Sequence, residues 1–220
     1  MKKNEKKKSN ELVTNSLKIL LRAILSGIMI SVGGTIFLML NRSELGAFLF
    51  GIGLFMVVVN GYNLYTGKIG YLIDNKINYL WELFLTLIGN LIGTISCGYL
   101  LLVTRFGDKL NETAKMVADA KLNDNLLSIF VLSMFCGMLM FLAVDLYKKL
   151  NDVGKYFAVF LCVTVFIICG FEHCVANMYY FSVANAWNFN TLLYLLIMIL
   201  GNSVGGILIA LGNKYGLKKD

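Results

Sequence analysis

Gly170-Phe171-Glu172-His173-Cys174-Val175-Ala176-Asn177-Met178 lies inside a segment that hydropathy reads as crossing a membrane. It places a glutamate, the chain's only histidine and an asparagine in otherwise apolar sequence. Ionisable side chains at that depth are costly, so they face a protein interior or an aqueous path and carry function. The stretch therefore marks a membrane protein with a transport pathway. His173 becomes the candidate group at its centre, a hydrogen-bond or proton donor near the midplane. Glu172 reads as structural support: a helix starting in mid-membrane exposes N–H groups without partners, and a buried carboxylate can accept from them. An unshielded carboxylate in the path would also repel anions.

Working outward, 58% of the 220 residues are hydrophobic and mean hydropathy is +0.71, against about 45–50% apolar for a soluble domain. Stretches near the ~20 residues needed to cross a bilayer recur along the chain. Six spans are expected, at about 20–40, 45–59, 79–103, 126–146, 156–183 and 191–211. The second meets Asn60-Gly61-Tyr62-Asn63-Leu64-Tyr65-Thr66-Gly67-Lys68, and the fifth is interrupted at Gly170. With no proline in the chain, these breaks must come from glycine and polar residues. Residues 1–19 read as a basic tail and an interfacial lead-in, 20–211 as one channel domain, and 212–220 as a second basic tail.

The net charge of +7 does not point to nucleic acid. The lysines cluster in both tails and in the loop 147–155, as the positive-inside rule expects of cytoplasmic segments. Both termini are therefore placed in the cytoplasm and residues 104–125 outside. The five cysteines show neither CxxC pairing nor metal-like spacing, and they read as small buried hydrophobes. No metal or cofactor is expected.

The two halves repeat. Each has a middle span broken after a glycine, and each has a third span carrying Gly-Asn-x-x-Gly: Gly89-Asn90-Leu91-Ile92-Gly93 and Gly201-Asn202-Ser203-Val204-Gly205. Three spans per half send the second half in from the opposite face. The result is an all-α, 3+3 inverted repeat of aquaporin-like architecture, about 20–104 and 126–211, with broken second and fifth helices at the permeation site. Small residues suit close helix contact, and Asn90 and Asn202 are placed to bond the freed backbone of each break, with Asn177 as further support. A neutral-solute channel would carry Asn-Pro-Ala at the breaks, which a proline-free chain cannot. An enzyme would need a nucleophile–base pair or metal cluster, which one histidine and one buried glutamate do not supply.

Gly-Phe-Glu-His-Cys-Val-Ala-Asn-Met resembles the signature of the formate/nitrite transporter family, and Gly61-Tyr62-Asn63-Leu64-Tyr65-Thr66 and the paired Gly-Asn motifs are similar to that family's other breaks. The resemblance covers nearly the whole chain. It implies a homopentamer in the cytoplasmic membrane with one pore per protomer, passing small monovalent anions. Its wording is closest to the hydrosulphide branch, with formate and nitrite sharing the core motifs. A proton-coupled transporter of the same fold is the alternative. The resemblance also implies residue roles. His173, Thr66 and Lys121 form the pore centre. Phe50, Leu54 and Phe166 form a cytoplasmic constriction, and Leu64, Tyr65 and Met140 an outer one. Asn63 stands where the family often has an acid and Tyr65 where it has phenylalanine, which places a hydroxyl at an apolar constriction. Gating is assigned to the segment 61–68 or to Lys148 and Lys149 at the cytoplasmic mouth.

Overall fold

A computed structural model describes residues 2–216, with side chains from residue 13 onward. The lysines at positions 2–8 are therefore described in backbone only, and Lys218 and Lys219 lie outside the described residues. Every element among the described residues is helical, as lipid demands of a chain whose backbone groups must find partners within the protein.

Among the described residues, four helices are long and apolar enough to cross a membrane. They lie in α1 (Lys2–Met39), α4 (Tyr79–Leu102), α6 (Leu126–Lys149) and α9 (Phe189–Leu211), the last extended by a π turn, Gly212–Gly216. Two apolar helices are shorter, α2 (Glu44–Val59) and α7 (Gly154–Ile168). Their 16 and 15 residues reach only about 24 Å at 1.5 Å per residue, short of a ~30 Å hydrocarbon core. Each runs into a glycine turn and resumes as a half-helix. The first is α3 (Tyr65–Lys68), continued by a 3-10 turn, Ile69–Asp74; the second is α8 (Cys174–Val183). The expected breaks are thus present in the second and fifth spans.

Two elements depart from the expected layout. The lead-in and the first span are one helix, α1, with no boundary near residue 20. The polar segment 104–125 contains α5 (Gly107–Leu122), which packs against α8 and α1. Its buried residues Leu110, Thr113, Ala114, Val117 and Ala118 recur at helical spacing, so this face lies against the channel domain while its charges other than Lys121 lie off that stripe.

The two halves pack alike, α1 on α4 and α6 on α9. Both contacts run along the Gly-Asn-x-x-Gly motifs. A Cβ on Gly93 would strike the Ile24 carbonyl, and one on Gly205 the Met134 carbonyl. Only glycine lets those backbones meet. Gly170 is different: its φ is +68°, and a Cβ at this position would meet nothing within 4 Å.

Two alanine substitutions should therefore separate backbone conformation from packing. Gly170→Ala is expected to cost about 1–2 kcal/mol, the left-handed penalty alone. Gly205→Ala is expected to cost about 3 kcal/mol, the upper end for an overpacked site. Thermal unfolding of detergent-purified protein would rank them, and the reverse order would refute the close α6–α9 approach.

Candidate functional site

Each break is held by the same set of bonds. In the first, Gly61 takes φ +65°, Tyr62 N–H reaches back to the Val57 carbonyl at 2.9 Å, and Asn63 N–H donates to the Arg22 carbonyl at 3.3 Å. Asn90 then bridges the gap. Its amide N donates to the Ala23 carbonyl at 2.8 Å and the Asn63 carbonyl at 2.9 Å, and its Oδ1 accepts Tyr65 N–H at 3.0 Å. In the second, Gly170 takes φ +68°, Phe171 N–H reaches the Phe166 carbonyl at 2.8 Å and Glu172 N–H the Leu132 carbonyl at 3.3 Å. Asn202 donates to the Ser133 carbonyl at 2.7 Å and the Glu172 carbonyl at 2.8 Å, and accepts Cys174 N–H at 2.9 Å. The matched bonding of Asn90 and Asn202 relates the two halves residue by residue.

The breaks meet at Thr66 and His173, both buried, whose Oγ1 and Nε2 lie 2.8 Å apart. The other ring nitrogen, Nδ1, accepts Ala176 N–H at 3.0 Å and so caps α8. A nitrogen that accepts from a backbone N–H holds no proton of its own, which places the neutral ring's proton on Nε2. His173 donates to Thr66 Oγ1, leaving the threonine hydroxyl proton free.

Glu172 departs from its expected role. The freed N–H groups of α8 go to Asn202 and to His173, not to the carboxylate. Glu172 Oε2 instead receives Lys121 Nζ at 2.6 Å and Asn177 Nδ2 at 2.7 Å. Lys121 reaches it from the next position on the buried stripe of α5, so the lysine is spent on a buried ion pair whose side chains are 15% and 4% exposed. The first break carries the same types of group in permuted places: Lys68 Nζ bonds Asn63 Oδ1 at 3.0 Å and pairs with Glu82.

Two cavities approach Thr66–His173 from opposite faces. The larger, about 510 Å³, is lined by His173, Lys121, Glu172, Phe166 and Arg42, among others. The smaller, about 290 Å³, is lined by Leu64, Gly67, Lys68, Arg22 and Lys148, among others. Lys121 therefore opens on one vestibule and Lys148 on the other.

That geometry corrects the two apolar constrictions. Phe166 lines the Lys121 vestibule, packs edge-on to Phe50 at 5.9 Å, and stacks on the His173 ring at 5.6 Å. Phe50 and Phe166 thus share a mouth with Lys121, not with Lys148 as expected. Helix direction is the cause: α7 starts at the basic loop and Phe166 stands two residues before its far end, while α2 starts at the opposite face and Phe50 lies in its second turn. Leu54 is buried one turn deeper on α2. Leu64 lines the Lys148 vestibule, the reverse of its assignment. Met140 lies in the half of α6 nearer Lys148 and lines neither cavity. Tyr65 turns its hydroxyl to Ser203 Oγ on α9, 2.9 Å away, so the extra polar group is bonded within the protein. Lys149 pairs with Asp145 at 2.6 Å, while Lys148 sits 4.0 Å over the Tyr71 ring.

Two half-helices joined at a buried hydrogen-bonded pair between opposed cavities define a multi-pass membrane protein built as a channel. Residues 1–215 match the family model described as formate/nitrite transporter, and the chain belongs to that family. It is 31% identical over 150 residues to the formate channel BtFdhC of Bacillus thuringiensis, covering 63% of this chain and 57% of that one. It is 28% identical over 189 residues to the nitrite transporter NirC of Escherichia coli strain K12, covering 77% and 70%. Among solved structures, a pentameric formate channel with formate bound superposes with a TM-score of 0.81 at 27% identity, over 93% of this chain and 97% of that one.

The Lys121–Glu172 pair generates a stability test. Lys121→Met strands a buried carboxylate and is expected to cost about 3–5 kcal/mol. Adding Glu172→Gln should restore most of it, because the amide needs no counter-charge. Thermal unfolding of the single and double variants measures this, and a double variant no more stable than Lys121→Met would show that the pair is not the cause.

Proposed function

We propose that this protein is a channel for small monovalent weak-acid anions, formate, nitrite and hydrosulphide being the class, with one pore in each protomer of a homopentamer. It would lie in the cytoplasmic membrane with the Lys148 vestibule and both termini facing inward. The solved formate channel and the named formate and nitrite relatives support the substrate class, and the same solved structure supports the pentamer. The single observation that carries the mechanism is the hydrogen bond between Thr66 and His173, set between the two vestibules.

An anion moving through would lose water between Phe50 and Phe166 on one side and Leu64 on the other. Desolvating a charge in apolar surroundings is prohibitive unless hydrogen bonds replace the water. The free Thr66 hydroxyl proton is one donor there, and His173 Nε2–H becomes the second when it turns from Thr66 Oγ1 to the anion. Because Nδ1 is committed to Ala176, His173 acts through Nε2 and serves as a hydrogen-bond donor; taking up a second proton would break the α8 cap.

Flux into proteoliposomes tests this, comparing formate, nitrite, hydrosulphide and chloride. His173→Asn keeps an oxygen able to cap α8, since asparagine is among the best capping residues, but removes the Nε2 donor. It should fold and pass formate at least tenfold more slowly, about 1.4 kcal/mol of lost barrier stabilisation. Unchanged rate and selectivity in that variant would overturn the central role of His173.

A further inference from the structure

The two vestibules differ in charge. The formally charged residues lining the larger one are Arg42, Lys121, Asp124 and Glu172, two cations against two carboxylates. Those lining the smaller one are Arg22, Lys68 and Lys148, all cations. Their neighbours do not cancel this excess. Lys68 is answered by Glu82. The carboxylate nearest Lys148 in sequence, Asp145, attracts it at a distance, but its ion pair is with Lys149 and it also accepts the Tyr71 hydroxyl at 3.3 Å. Lys148 rests instead over the Tyr71 ring. Arg22 has neither a hydrogen-bond nor an ion-pair partner for its side chain among the described residues. Counting these neighbours, the smaller vestibule keeps two cations, Arg22 and Lys148, with no ion-pair partner among the described residues, while the charges lining the larger balance. Lys155 lies over the ring of Tyr147, a lining residue of the smaller vestibule, and adds a further cation beside it.

We propose that the smaller vestibule binds a small tetrahedral dianion, of the hydrogen phosphate or sulfate type, between Arg22 and Lys148, and that the bound dianion blocks the pore from that side. This rests on the reading of the chain as an anion channel. Two unpaired cations facing one cavity are matched by a dianion, whereas a monovalent anion leaves one charge unanswered. A guanidinium presents the fork of donors that tetrahedral oxyanions accept, and an ammonium adds a point charge. The cavity, about 290 Å³, holds such an anion with several waters at about 30 Å³ per water. The dianion cannot proceed. Beyond it stand Leu64 and only two hydrogen-bond donors, and the cost of desolvation rises steeply with charge. A species held at the mouth and refused at the centre excludes the transported anion by occupying its path.

Two measurements decide the matter. Calorimetry of sodium sulfate binding to the purified protein is expected to show saturable binding preferred over sodium chloride at equal ionic strength. That binding should weaken at least tenfold in Arg22→Gln/Lys148→Gln and recover in Arg22→Lys/Lys148→Arg, which restores both charges. In proteoliposomes oriented by an N-terminal tag, sulfate on the Arg22 side should slow formate flux and sulfate on the Lys121 side should not. Sulfate binding no stronger than chloride, binding untouched by the double substitution, or equal inhibition from both sides would each overturn the proposal. If no anion passes even without sulfate, the channel reading fails, and the calorimetry still decides whether the dianion site exists.

Discussion

A helix broken within lipid must have its freed backbone groups answered by the protein, and this fold is arranged around two asparagines that do so. Asn90 and Asn202 each satisfy two carbonyls and one N–H across a break. No carboxylate could do this, having acceptors only, and a hydroxyl has one proton to give; the amide alone offers two donors and an acceptor in one plane. For the amide to reach both the break and the neighbouring long helix, the two long helices must lie almost in contact. The glycines on either side of each asparagine provide that approach. Close helix packing and broken-helix support are therefore one requirement, which is why the five-residue motif occurs as a unit in each half.

Once the breaks are held alike, the residues at corresponding positions can diverge. Leu64 and His173 each stand just before a half-helix, in extended conformation. The leucine makes no side-chain cap, while the histidine caps its own helix. The same place in the two halves is thus apolar toward one vestibule and hydrogen-bonding toward the other. The charged support diverges in the same way, with Lys68 and Asn63 exchanging the kinds of group found at Glu172 and Asn177. An internally symmetric backbone in this way carries an asymmetric path, and asymmetry of lining rather than of fold distinguishes its two ends.

Much of this was readable from residues alone. The two glycine turns, the paired Gly-Asn motifs and the lone histidine located both breaks and their centre, because each is a local signature of a backbone that cannot continue as a helix. Depth along a helix was less legible. The assignment of Phe50 and Phe166 to the Lys148 side failed because apolar residues look alike at either end of a span. Counting from the basic loop at 1.5 Å per residue puts Phe166, twelve residues after Gly154, about 18 Å away from it, and would have given the right end. The partner of Glu172 was also missed. Lys121 is 51 positions away, but the stripe Leu110, Ala114, Val117, Lys121 on α5 was visible and marks that lysine as facing inward.

The histidine shows why structural and functional roles need not compete at such a site. Its Nδ1 meets the demand that any buried helix start imposes, and that bond fixes the ring's orientation and tautomer. Only Nε2 is then left to face Thr66, with its proton already in place. A side chain with one polar atom, serine for instance, could cap α8 or face the pore but not both. A lysine could face the pore but would bring a charge needing its own partner, as Lys121 needs Glu172. Imidazole satisfies the helix with one nitrogen and offers the other as a neutral donor about 2 Å further along. Under the proposed function, such a group would replace an anion's water without trapping the anion by a fixed positive charge; the cations line the vestibules, and none takes part in the Thr66–His173 contact itself.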